Sequence, residues 1–162
     1  MEIVCFIVGM LGGVLVGGII GYKYVNGNMR GQLERAEKMS DKHLAIMNLL
    51  SMWLQNKEEN LKIETYLAEK QIKKVAIYGM ASVGERLYDE LEKSNIEIAY
   101  CIDRNANNIY KDVDVVNPDD SLDSNIDAIV VTAFTFFDEI EASLEAKVNV
   151  PIISIDDIIF SL

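Results

Sequence analysis

"KKVAIYGMASVGERLYDEL", residues 73–91, joins an apolar, β-branched run to an amphipathic one in which Val83, Leu87 and Leu91 recur a helical turn apart. The joint carries Gly79 and Gly84 in the first and third places of a glycine fingerprint that turns a strand sharply into a helix. The first glycine makes the turn and the third lets helix and strand pack closely. Ala81 stands in the middle place, where glycine would let the backbone approach a pyrophosphate. Its methyl crowds a diphosphate without forbidding one, and the helix beginning near Ser82 still aims unpaired amides and a positive dipole end at an anion above the loop.

Downstream, strand and helix alternate. "IEIAYCID" and "DVDVVN" read as the second and third strands, Pro118 opens a short turn or helix in "PDDSLDS", and "DAIVVTA" reads as the fourth strand with "FFDEIEASLEAKV" as its helix. "PIISID" and "DDIIFSL" close the chain as strand and short helix. Apolar runs without alternation belong to strands buried on both faces, hence to a parallel sheet with helices on each side. Right-handed crossovers then give a five-stranded sheet in the order 3-2-1-4-5.

This topology brings further candidates to the carboxyl edge of the sheet. Asp103 follows the second strand about 20 residues after Gly84, the place from which a carboxylate accepts hydrogen bonds from ribose hydroxyls. Its neighbour Arg104 suits a phosphate. Thr132, with Thr135, lies in the loop "TAFTFF" after the fourth strand, within reach of a sugar or phosphate.

Upstream, "IVCFIVGMLGGVLVGGIIGY", Ile3 to Tyr22, carries no charge, and at about 1.5 Å per residue it matches the roughly 30 Å of a bilayer core. It reads as a transmembrane helix. Lys23, Arg30, Arg35 and Lys38 follow it and only Glu2 precedes it, which places the N-terminus outside and the C-terminal domain in the cytoplasm, as a single-pass protein of the cell membrane. Gly9, Gly13, Gly17 and Gly21 form a groove along that helix, the pattern of a homo-oligomeric span. Residues 28–71 read as a helical stalk and linker, its second half apolar enough to need a partner surface. The expected organisation is therefore an anchor over 1–27, the stalk over 28–71 and an α/β domain over 72–162.

Composition excludes several classes. Net charge is −11, with the acid concentrated in the C-terminal half, so phosphate backbones are repelled and a nucleic-acid partner is excluded. Cys5, Cys101 and His43 make no metal-ligand spacing, and a reducing cytosol leaves both cysteines as thiols. Tyr66 and Lys70 share the spacing of a short-chain dehydrogenase pair, but they precede the first strand instead of following the glycine loop, which makes the match coincidental. No catalytic constellation emerges.

The run "KKVAIYGMASVGERLYDEL…IAYCIDRN…DAIVVTA" resembles the Rossmann-like domains of bacterial surface-polysaccharide biosynthesis, including the nucleotide-sugar-binding N-terminal domains of sugar acyltransferases and small membrane-anchored relatives. The resemblance covers about residues 70–160. It implies binding of NAD(P) or a nucleotide-sugar at Gly79, Ala81, Ser82, Gly84 and Asp103. It implies no acyl transfer, because in that family the catalytic base sits in a following β-helix domain. The expected function is a membrane-tethered, cytoplasm-facing nucleotide or nucleotide-sugar binding module, accessory to polysaccharide-biosynthesis enzymes. Alternatives are a non-catalytic scaffold with a vestigial loop, and an NAD-dependent oxidoreductase or epimerase.

Overall fold

The structure, a computed structural model, describes Tyr22, Lys23, Gly27 and residues 29–162, side chains included. The chain divides into two compact units, Met1–Leu44 and Ala45–Leu162. Helix α1 (Glu2–Glu58) contributes to both. In the first unit the described side chains of α1 are nearly all exposed, among them Met29, Leu33, Met39 and Leu44.

The expected transmembrane span, Ile3 to Tyr22, lies outside the described residues except for Tyr22, as do Gly9, Gly13, Gly17 and Gly21. Among the described residues no helix is long and apolar enough to cross a membrane. The reason is visible in α1, where Arg30, Glu34, Arg35, Glu37, Lys38, Asp41 and Lys42 interrupt every apolar stretch beyond Tyr22. The described fold therefore holds no transmembrane helix, contrary to the expected N-terminal span. The single-pass placement, N-terminus outside and C-terminal domain cytoplasmic, rested on that helix and is corrected with it.

The second unit is an α/β fold. After α1 come α2 (Ile63–Glu69), β1 (Lys74–Tyr78), α3 (Ser82–Leu91), β2 (Glu97–Ile102), β3 (Val115–Val116), β4 (Ala128–Val131), α4 (Phe137–Glu145), β5 (Ile152–Ser154) and α5 (Ile155–Ser161). The five strands form one sheet in the order β3-β2-β1-β4-β5, and every pairing is parallel. That is the 3-2-1-4-5 order read from the alternation of runs. "PDDSLDS" forms a turn and no helix.

Each strand of the sheet centre is apolar throughout because both of its faces are covered. Along β1, Val75 and Ile77 point into one cluster with Leu87 and Leu91 of α3, Leu67 of α2 and Ile155, Ile158 and Ile159 of α5. Ala76 and Tyr78 point into the other, with Ile140 and Leu144 of α4. Alternation exists, but between two interiors, which is why it leaves no polar trace. Asp127 fixes the start of the sheet, where one carboxylate oxygen accepts the amides of Lys73 and Lys74 at 2.8 and 2.9 Å. Those two bonds hold its carboxyl below the usual carboxylate range.

The C-terminal stretch of α1 belongs to this core. Leu49, Trp53 and Asn56 recur at helical spacing and are buried, so the apolar second half of the expected stalk packs here. The Trp53 indole N–H donates to Glu90 of α3 at 2.9 Å, and Lys57 pairs with the same carboxylate oxygen at 3.0 Å. The Asn56 amide donates to the carbonyl of Ile159 at 2.7 Å, tying α1 to α5.

Both helices that lead into β1 end on a left-handed residue. Asn60 has φ 61° and Gln71 has φ 62°, and the following amides, Leu61 and Ile72, donate back to Asn56 and Leu67 at 2.8 and 2.9 Å. This is the Schellman closure, normally a glycine position, since a β-carbon in the left-handed region costs about 1–2 kcal/mol. Asn60→Gly and Gln71→Gly should each raise stability by up to about 1 kcal/mol, less the extra chain entropy glycine brings to the unfolded state. Urea midpoints check this, and the gain should be larger at Gln71, because asparagine already tolerates the conformation.

Candidate glycine-turn site

The carboxyl ends of β1, β2 and β4 meet at the glycine turn. Gly79 leaves β1 with φ 93°, a conformation that asks for glycine, and its amide donates to the carbonyl of Ile102 at 2.8 Å. A β-carbon at Gly79 would also stand 3.0 Å from the Thr132 hydroxyl. At Gly84 the constraint is harder, for a β-carbon there would fall 1.9 Å from the carbonyl oxygen of Gly79. Helix α3 is thus pressed onto the turn that precedes it. The two glycines occupy the structural roles their spacing indicates.

Between them, Met80 is buried while Ala81 and Ser82 are exposed. Ala81 is the N-cap of α3, with extended backbone and no side-chain oxygen to cap the helix. The first amide whose partner lies inside the turn is that of Glu85, which donates to the Ala81 carbonyl at 2.9 Å. The amides ahead of it have no intrahelical acceptor, the general condition of a helix start. The resulting surface is a short, uncapped, positively polarised rim.

Asp103 and Thr132 stand beside this rim, both already engaged. One Asp103 oxygen accepts the Met80 amide at 2.7 Å and the other accepts the Asn105 amide at 2.8 Å. The second bond is an Asx-turn, legible in the "DRN" stretch as an aspartate followed two residues later by a free amide. The first, which staples β2 to the glycine turn, has no signature in sequence. Thr132 is buried, and its hydroxyl lies 2.5 Å from the carbonyl of Gly79 and 3.1 Å from that of Tyr78. Having one proton, it bonds one of them at a time and braces the turn from the β4 side. Arg104 and Thr135 are exposed, and the Arg104 carbonyl receives the Asn117 side-chain amide at 3.4 Å.

The clefts of about 400 and 600 Å³ in this unit lie away from the turn. One is lined by Lys57, Lys62, Arg86 and Lys93 together with Glu64, Asp89 and Glu90, where α1 and α2 approach α3, and the other by Tyr66, Ile126 and Pro151 near the amino edge of the sheet. Tyr66 and Lys70 belong to that far edge, with the Lys70 ammonium 4.9 Å above the Tyr66 ring, a cation–π contact between α2 and the residue that caps its end. Among the described residues no group of three or more histidine, cysteine, aspartate or glutamate side chains is placed to hold a metal ion.

Cys101 lies in β2, buried, and desolvation pushes its thiol up to about 12. A thiol held neutral by an apolar interior is no nucleophile. Because its folded pKa exceeds the unfolded value near 9, the stability it confers is complete below pH 9 and lost as pH rises toward 12. Cys101 should resist thiol reagents at pH 8 until the protein is unfolded in urea, and Cys101→Ala should flatten part of the decline in stability between pH 9 and 12. Gly84→Ala should cost about 1–3 kcal/mol in urea unfolding, since backbone must yield to the new methyl.

The geometry can be compared with known proteins. No curated protein and no solved structure matches the chain. The model of the family described as C2185-like, N-terminal matches residues 71–155, just over half of the chain and the whole of the sheet with its carboxyl-edge loops. The chain therefore belongs to the C2185-like, N-terminal family.

Proposed function

We propose that the second unit is a nucleotide or nucleotide-sugar binding module, whose ligand places a phosphate on the first turn of α3. The single observation that carries this reading is the glycine turn. Gly79 in the left-handed region and Gly84 against its carbonyl leave an uncapped helix start, with Ala81 and Ser82 exposed, at the carboxyl edge of a parallel sheet. That edge is where open α/β sheets take their ligands, and a helix start favours anions. The resemblance to surface-polysaccharide domains makes a sugar nucleotide the first candidate and an accessory role beside biosynthetic enzymes the corresponding setting.

The ligand is held without a closely bound dinucleotide. Ala81 crowds the approach a pyrophosphate uses without forbidding it, and Asp103 gives one acceptor position on each oxygen to backbone amides before a ribose arrives. Arg104 and Ser82 are then the side chains at the rim able to meet the ligand directly.

A second reading, a scaffold that binds no small molecule, draws on a specific observation. Asp103 and Thr132, the polar side chains that would recognise ribose and sugar, are both engaged in holding the turn together. The experiment is thermal unfolding of the full chain against NAD, NADP, UDP-sugars and coenzyme A. A ligand at about 100 times its Kd adds roughly 2.7 kcal/mol. Stabilisation by one of them that disappears in Ser82→Glu, where a carboxylate takes the anion's place at an exposed position, supports the module; no stabilisation by any of them leaves the scaffold.

A further inference from the structure

In the first unit, α1 carries a seam that nothing within the described residues covers. Met29 is 63% exposed and Leu33 60%, and Ala36 and Ser40 are exposed as well. Their spacing is that of alternating d and a positions of a heptad: Met29 and Ala36 at d, Leu33 and Ser40 at a. The sequence carries the a position on to Met47 and Leu54 without a break. Arg30 and Glu37 follow the d positions directly and so flank the seam on one side, both exposed, and within the described residues neither forms an ion pair.

We propose that this seam is the contact surface for a second copy of the chain, packed antiparallel over residues 29–40. Antiparallel pairing sets a positions of one helix against d positions of the other. The layers are then Met29 against Ser40 and Leu33 against Ala36, each formed twice, so every layer joins a large side chain to a small one. The flank is self-complementary in the same register, because Arg30 of each copy meets Glu37 of the other, giving two opposite-charge pairs. Parallel pairing in register stacks Met29 on Met29 and Leu33 on Leu33, leaves Ala36 and Ser40 facing their own copies, and brings Glu37 to Gln32 with no charge partner. Volume and charge thus select the same orientation. An uncovered helix of this composition also gains its stability chiefly from an apolar partner.

The test is sedimentation velocity of the full chain across concentration, with charge variants. Arg30→Glu and Glu37→Arg should each weaken dimerisation by about tenfold, since each turns two attractive pairs into repulsive ones, and the double variant should restore it. In a background of Cys5→Ser and Cys101→Ala, Met29→Cys with Ser40→Cys should form a disulfide-linked dimer under mild oxidation. Ser40→Cys alone should not, because in the antiparallel pair the two positions stand about 16 Å apart along the axis. A chain that stays monomeric at about 100 μM, a dimer indifferent to the single charge reversals, or ready cross-linking of Ser40→Cys alone overturns the proposal.

Discussion

The approach of Gly84 to the carbonyl of Gly79 governs the geometry of the carboxyl edge. With no β-carbon in the way, α3 starts directly over the turn that leaves β1, and its axis is fixed by backbone touching backbone. Everything else at that edge is arranged around this contact. Thr132 braces the carbonyl from β4, Asp103 holds the next amide from β2, and Met80 is driven into the interior. The turn is therefore held from both neighbouring strands, and its shape is set before any ligand arrives.

The same economy explains why the polar residues beside the turn serve structure first. A buried amide left without an acceptor costs about as much as a lost hydrogen bond, so the Met80 amide needs Asp103 whether or not a ribose is present. An aspartate in this place has two possible employers, the ligand and the loop. Here the loop has it, with one lone-pair position on each oxygen left over.

Much of the α/β unit was legible in the sequence because its signals are local. The strand order follows from five apolar runs separated by helices and from the handedness of crossovers, and Gly79 and Gly84 announce their roles by spacing alone. What was not legible is long-range. Nothing in "MSDKHLAIMNLLSMWLQNK" says that Leu49, Trp53 and Asn56 face α3 and α5, since a helix reports its apolar face but not the surface that meets it. Asp103 was placed correctly at the end of β2, yet its partner, a backbone amide more than 20 residues back, leaves no mark in the side chains. The membrane reading of Ile3 to Tyr22 was drawn from an uncharged run of span length and its flanking charges, and no helix among the described residues sustains it.

The bond from Asn56 to the Ile159 carbonyl spans 103 residues of chain. Contacts of that separation are the last to be repaid during folding, because the loop they close must be ordered before they form. On a ribosome the buried face of α1 emerges early and waits, with Leu49 and Trp53 uncovered, until α3 and then α5 have been made. This face of α1 is thus the part of the core exposed longest during synthesis, and the interval before α5 appears is the period in which this protein most needs shielding from its own kind.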